Sequence, residues 1–98
     1  SQIDIARVVV ALEQAKCKIV TVAVNTVEFH EPIFIGDLIS CYAEVIKMGI
    51  TSITVKVEVY AESHPSNKQT VKVTEAELMY AAIDENHKPR KLPDLGTE

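Results

Sequence analysis

Apolar and polar residues alternate along most of the chain with a period of two, which predicts β-strands that have one buried face and one wet face. The alternation is clearest over residues 51–62, where apolar residues from Ile53 to Ala61 hold the odd positions and mostly polar residues hold the even ones. The same pattern predicts strands at about 18–28, 38–48 and 70–83. In the last of these the parity changes near residues 74–75, which indicates a β-bulge.

The chain before the first strand has a different pattern. Residues 2 to about 15 are rich in helix formers, and their apolar side chains fall on nearly every side of the predicted helix. Such a helix is expected to be buried. One helix, four antiparallel strands and a tail at 84–98 give an α+β fold, in which the helix covers the apolar face of the sheet. We expect a single domain over residues 1–98.

The composition indicates a small globular domain and argues against several kinds of partner. The 98 residues are 47% hydrophobic and 24% charged, with a formal net charge of −4, which speaks against binding to a nucleic-acid backbone. The uncharged apolar stretches of the chain, such as residues 8–12, are far below the ~20 residues of a membrane span. No signal-peptide pattern is visible. We therefore expect a cytoplasmic protein without a membrane partner.

The cysteines and histidines do not form a recognisable metal or disulfide pattern. Cys17 and Cys41 are too few for a disulfide framework, and Cys41 alternates with apolar residues as a small core residue does. His30, His64 and His87 share no metal-ligand spacing with each other or with the cysteines. We expect reduced thiols and no bound metal.

Asp4 lies between Ile3 and Ile5 at the head of the predicted helix, where desolvation of a carboxylate is costly. The residues alone leave two interpretations open. A helix-start acid is favoured by the helix dipole and can pair with Arg7 one turn later. A carboxylate can also act as a general base or as a nucleophile.

Six segments of the chain resemble, in order and spacing, those of the YciA-type acyl-CoA thioester hydrolases, a family of hotdog-fold thioesterases. They are SQID, IVTVAV, VEFHEPIFIGDLISCYAEV, GITSITVKVEV, TEAELMYAAID and KPRKLP. The resemblance covers the chain from Ser1 to about Pro93. It implies a hotdog fold, in which a long antiparallel sheet wraps around one N-terminal helix.

The resemblance also implies an activity, which is the hydrolysis of acyl-CoA to a free acid and coenzyme A. Asp4 matches the family's catalytic acid, as a general base or as a nucleophile that forms an anhydride. No metal or redox cofactor is implied, because coenzyme A enters only as part of the substrate and product. Sites of this family lie between two subunits, so the resemblance implies a homo-oligomer, a dimer at minimum and a trimer of dimers as the full assembly.

Four further residues are candidates for binding coenzyme A. Gly49, Thr51 and Ser52 are either a plain hairpin turn or a set of N–H and hydroxyl groups beside the pantetheine or pyrophosphate. Arg90 belongs to a cationic cluster with Lys88 and Lys91, which is either a solvated tail or a phosphate contact.

The sequence departs from the family pattern at two places. The upstream strand and the N-x-N-G-x-[IF]-F-G-G-W stretch that precede S-Q-x-D in the family are not in the sequence. Either the full gene product carries this segment, or the molecule lacks part of its thioester pocket. Arg7 stands where family helices carry Gly or Ala.

Three other functions stay open at this point. The chain is alternatively a hotdog module that binds acyl-CoA without turnover, or a hotdog acyl-thioester dehydratase or hydratase, for which His30 would be the base. If the resemblance is accidental, it is a β-rich interaction protein.

Overall fold

The computed structural model describes residues 3–62 and 69–95 and contains one helix followed by four strands in that part of the chain. The elements are α1 (Ile5–Gln14), β1 (Lys18–Glu28), β2 (Leu38–Met48), β3 (Ser52–Glu62) and β4 (Thr70–Ile83). The α+β class predicted from the hydrophobic pattern is confirmed. Helix α1 begins at Ile5, later than the predicted residue 2, because the preceding residue is its N-cap. Ser1, Gln2, residues 63–68 (with His64) and residues 96–98 lie outside the described ranges.

The four strands form one antiparallel sheet in the order β1-β4-β3-β2. The first strand therefore lies beside the last, and β1 and β2 are the edge strands of the described sheet. Ile3 forms an isolated antiparallel bridge to Val45 on the outer edge of β2. This bridge brings the start of α1 to the edge of the sheet.

Each pair of neighbouring strands contains one shift of register. The extra residues are Val22 in β1, Ile46 in β2 and Val73 in β4. The predicted bulge in β4 is present, but it lies at Val73, just before the predicted residues 74–75. Bulges of this kind increase the local twist of a sheet and bend the bulged strand.

The helix ends in a reversal that leads directly into β1. Lys16 has a positive φ of 51°, its N–H donates to the carbonyl of Glu13, and the N–H of Cys17 donates to the carbonyl of Leu12. These are the two hydrogen bonds of a Schellman motif, here with lysine in the position that usually holds glycine. Cys17 is buried at this reversal.

The core lies at one end of the sheet, where α1 packs on β2 and β3. Val8, Val45 and Ile53 are the buried residues of this cluster, and Leu92 and Leu95 from the C-terminal part of the chain pack against it. The predicted tail is therefore partly structured. We call residues 88–95 the C-terminal segment.

Two expectations about burial need correction for the single chain. Val8 is the one buried residue of α1, whereas Val9 and Val10 are 46% and 49% exposed, because the ten-residue helix covers only one end of the sheet face. Cys41 is exposed rather than in the core, because it lies on β2 beyond the reach of the helix. Within the described residues, no helix is long and apolar enough to cross a membrane.

Candidate active site

Asp4 lies at the junction between the start of α1 and the edge of β2. Its backbone is extended, with φ −71° and ψ 125°, and its Oδ1 accepts a hydrogen bond from the N–H of Ala6 at 3.0 Å. Asp4 is therefore the N-cap of α1, which was one of its two open roles. Its side chain is exposed. The capping bond uses Oδ1, so a cap and a contact with a bound molecule are compatible.

Three N–H groups of the first helical turn, those of Ala6, Arg7 and Val8, have partners inside the protein. Oδ1 of Asp4 takes the N–H of Ala6, and the carbonyl of Asp4 accepts from the N–H groups of Arg7 and Val8 at 3.1 and 3.2 Å. The helix dipole also acts on a ligand at this end. The positive end of that dipole favours negative charge beside Asp4.

A cavity of about 560 Å³ opens next to Asp4. One wall is the face of α1 that carries Asp4, Arg7 and Val10, and the opposite wall is Asp94 and Leu95 of the C-terminal segment. The cavity is an open depression on the surface of the single chain. The cavity combines charged groups at one end with small apolar side chains along the helix.

A second depression lies on the other side of Asp4. It has a volume of about 360 Å³ and is bounded by Ile3 and Ile5 from the helix start and by Ala43 and Glu44 from β2. Asp4 is thus reached from two sides, one formed with the C-terminal segment and one formed with the sheet edge.

The candidate turn between β2 and β3 is held by its own backbone. The N–H of Gly49 donates to the carbonyl of Ser52 at 2.8 Å, so this amide is already engaged. A Cβ at Gly49 would lie 2.8 Å from Oγ of Ser52, so a larger residue would require the Ser52 hydroxyl to shift. The hydroxyls of Thr51 and Ser52 are the groups of this turn with hydrogen-bonding capacity toward a ligand.

Arg90 lies beside this turn, through a shared partner in β4. The N–H of Ala82 donates to the carbonyl of Thr51 at 2.8 Å, and the carbonyl of Ala82 accepts from the N–H of Arg90 at 3.1 Å. One residue pair further along, the N–H of Leu92 donates to the carbonyl of Ile50 at 2.9 Å. The structure therefore brings Arg90 and the turn together, although they are about 40 positions apart in the sequence.

The C-terminal segment connects the two groups of candidate residues. It starts at Lys88, passes the turn at Arg90 and reaches the cavity of Asp4 at Leu95. Five residue steps of extended chain span at most about 18 Å, so Arg90 lies within that reach of the wall of the cavity.

Arg7 and Leu95 were not predicted to take part in the site. Nε and Nη2 of Arg7 donate to the carbonyl oxygen of Leu95 at 3.2 and 3.0 Å. The sequence contains one signal for this contact, which is the cation on an otherwise apolar part of the helix. Its partner is a backbone carbonyl, which no side-chain pattern reveals.

A larger groove, of about 770 Å³, lies along β2 and β3 and shares Ala43 and Glu44 with the depression beside Asp4. It contains Tyr42 and Tyr60, whose rings meet edge to face at 5.7 Å. Glu58 on its floor accepts from Lys72 and from the Tyr60 hydroxyl, and the hydrogen bond from Lys72 is the main reason why the pKa of Glu58 is lowered. Glu58 and Glu75 together raise the pKa of Lys72. These groups bind one another, so the size of the groove does not make it the candidate site.

The described residues contain no group of three His, Cys, Asp or Glu side chains that could hold a metal ion. His30 lies in the loop after β1 with a positive φ of 56°, and His87 lies in the turn after β4 with a φ of 62°. Both are exposed.

Comparison with known proteins identifies the family of the chain. The sequence profile described as the thioesterase superfamily matches residues 1–67 of the chain. The chain belongs to the thioesterase superfamily. The acyl-CoA thioester hydrolase YciA of Salmonella typhimurium is 41% identical over 98 residues, which is 98% of this chain and 74% of that protein. YciA of Escherichia coli is 39% identical over 95 residues, which is 95% of the chain and 72% of its own length.

Solved thioesterase structures have the same fold. The hexameric thioesterase y2039 from Yersinia pestis is 38% identical and superposes with a TM-score of 0.68 over 93% of this chain and 74% of its own. A hexameric hotdog-fold thioesterase from Campylobacter jejuni is 36% identical, with a TM-score of 0.63 over 86% of this chain and 65% of its own. The hotdog fold, the YciA-type family and the prediction of an enzyme of the thioester hydrolase class are therefore confirmed.

Proposed function

We propose that this thioesterase hydrolyses acyl-CoA to a free acid and coenzyme A, with Asp4 as the working carboxylate. The observation that carries the proposal is the position of Asp4 at the mouth of a cavity whose far wall leads to Arg90. A catalytic acid and a phosphate-binding cation are thereby connected along one segment. YciA and its relatives are named as acyl-CoA thioester hydrolases, which supports the substrate class.

Two mechanisms are open to the Asp4 carboxylate. As a general base it removes a proton from water, whose oxygen attacks the thioester carbonyl while the C–S bond breaks. As a nucleophile it attacks that carbonyl itself, releases the coenzyme A thiolate and leaves an anhydride that water then hydrolyses. In both cases the thiolate takes up a proton, and the positive end of the α1 dipole favours the negative charge that develops beside it.

The coenzyme A portion is proposed to lie along the C-terminal segment, with its phosphates at Arg90 and its pantetheine beside the turn. The guanidinium of Arg90 suits phosphate because its donors match the geometry of phosphate oxygens. The hydroxyls of Thr51 and Ser52 supply neutral donors. Gly49 allows Ser52 to approach, and its own amide is not part of this contact.

We propose that the enzyme is a homo-oligomer, with a dimer as the smallest unit and a trimer of dimers as the full assembly. The exposed edge strands and the half-exposed Val9 and Val10 support association, because a single chain leaves this apolar surface in water. Solved relatives at 38% and 36% identity are described as hexamers. Asp4 then lies at or near a subunit interface.

A cytoplasmic location stays a prediction, which the two free cysteines support.

Thiol release from short-, medium- and long-chain acyl-CoAs tests the proposal, with binding of free coenzyme A measured by calorimetry on the same sample. We expect thiol release above the uncatalysed rate for at least one chain length. Binding of coenzyme A without thiol release would instead identify a binding module, and neither binding nor release would contradict both functions. Mass spectrometry of a rapidly quenched single turnover distinguishes the mechanisms, because only the nucleophilic route leaves an acyl group on the peptide that contains Asp4.

A further inference from the structure

We propose that Arg7 is a positioning residue, which fixes the end of the C-terminal segment as the second wall of the Asp4 cavity. The inference rests on the proposed function. Its structural basis is the pair of hydrogen bonds from Nε and Nη2 of Arg7 to the carbonyl of Leu95, at 3.2 and 3.0 Å. These residues are 88 positions apart in the sequence.

The geometry of this contact fixes orientation as well as distance. The two N–H groups belong to one edge of a planar guanidinium and converge on a single oxygen, so rotation of either partner weakens both bonds. The contact is partly buried, which reduces competition from water. A lysine at this position has a single ammonium on a flexible stem and cannot reproduce the planar pair of donors.

The position of Arg7 on the helix links this contact to the proposed chemistry. Arg7 follows Asp4 by three residues, so both side chains lie on the same face of α1 and both line the cavity. The helix therefore sets the position of Asp4, and Arg7 sets the position of the opposite wall relative to Asp4. An acyl-CoA that enters between them meets a site of fixed width.

The remainder of the C-terminal segment has anchors of its own. Leu92 donates its N–H to Ile50, Arg90 donates its N–H to Ala82, and the Leu92 side chain packs on the core. Loss of the Arg7 contact therefore leaves the segment attached through Leu92, and the Leu95 side chain keeps its own packing on the core. The expected consequence is a less strictly held Leu95 backbone in the wall of the cavity. We expect weaker substrate binding rather than unfolding.

Two substitutions of Arg7 test the proposal. Arg7→Met keeps the long unbranched stem and the helix propensity but removes the donors, and Arg7→Lys restores a positive donor. We expect KM for the best acyl-CoA to rise about tenfold in Arg7→Met, with kcat within about twofold of the parent. The reason is that the substrate and the transition state lose the same amount of binding. Arg7→Lys should recover part of this change. Lys18→Met, which removes an exposed cation from β1, is the matched control and should leave both constants unchanged.

Hydrogen exchange of the peptide that covers residues 90–95 gives a second readout, which does not depend on catalysis. We expect faster exchange in Arg7→Met than in the parent and in Lys18→Met. Unchanged exchange together with an unchanged KM would overturn the proposal, as would a fall in kcat with KM unchanged, because Arg7 would then act on the chemical step. If the parent releases no thiol at all, the proposed function fails. In that case hydrogen exchange alone tests the positioning role. Equal exchange rates of the 90–95 peptide in Arg7→Met and in the parent would overturn it.

Discussion

The side chain of Asp4 accepts a hydrogen bond from the backbone N–H of Ala6 at 3.0 Å. The residue proposed as the catalytic carboxylate is therefore also the residue that caps the helix on which the site is built. A loss of activity on its replacement has two possible origins, one chemical and one structural. The two origins can be separated because asparagine caps a helix about as well as aspartate, whereas alanine does not.

The first prediction concerns stability alone. Asp4→Ala should lower the free energy of unfolding by about 1 kcal/mol, because the N–H of Ala6 loses its acceptor. Asp4→Asn should lie close to the parent, because its side-chain carbonyl accepts the same hydrogen bond. Urea unfolding of the three proteins measures this difference. Equal destabilisation by Asn and Ala would mean that the charge of Asp4, and not its capping bond, stabilises the helix start.

The second prediction concerns the phosphate contact of Arg90. Arg90→Ala should raise the Kd of coenzyme A about tenfold, because the loss of one charge-assisted hydrogen bond weakens binding by roughly that factor. The Kd of pantetheine, which has no phosphate, should not change. Lys88→Ala is the matched control, since it removes a cation from the same segment two residues away. An equal loss for both ligands would place Arg90 outside the phosphate site.

The third prediction concerns the turn that leads into the C-terminal segment. Oδ1 of Asp84 accepts from the N–H groups of Lys88 and Asn86 at 3.0 and 2.8 Å, and these hydrogen bonds lower the pKa of Asp84 below its usual 3.8. A lowered pKa in the folded state adds stability above the unfolded pKa, and this stability is lost as the pH falls through the folded value.

Asp84→Asn keeps an acceptor but does not titrate, so its stability should fall less than that of the parent between pH 5 and pH 3. Denaturant unfolding at a series of pH values measures the difference. The pKa of Glu58 is also lowered in the folded protein, so the parent and the variant should both lose some stability in acid. Identical pH profiles would show that the turn contributes nothing to acid sensitivity.

The strands could be predicted from the sequence because their signal is local. Apolar residues at the odd positions from Ile53 to Ala61 alternate with mostly polar ones, and β3 runs through them without an extra residue. The start of the helix was predicted less accurately. An acidic residue such as Asp4 is favourable inside the first turn because of the helix dipole, and it is equally favourable just before the helix as its N-cap. Only the geometry of its backbone decides between the two.

The burial of single residues could not be predicted in the same way. Cys41 has the alternation of a core position, yet it is exposed because α1 ends before it reaches that part of the sheet. The pattern identifies the face of the sheet on which a residue lies. The pattern does not show how far along the sheet a ten-residue helix extends, and therefore which residues of that face the helix buries.

The candidate site could be predicted in part. Asp4 and Arg90 carry charges in recognisable motifs, so the sequence identifies them as candidates. The connection between them depends on Leu92 and Leu95, which lie on either side of Pro93 in a segment without periodicity. Their contacts with the core and with Arg7 join parts of the chain that are far apart in sequence, and they arise only when the sheet is folded.

The most direct test of the account is the kcat of Asp4→Asn for the best acyl-CoA, measured beside the Kd of coenzyme A for the same variant. We predict that kcat falls at least about a hundredfold, because asparagine can neither accept the proton of water nor attack the thioester. The Kd and the free energy of unfolding should stay at the parent values. A kcat within a few-fold of the parent would contradict the account and leave Asp4 as a helix cap alone.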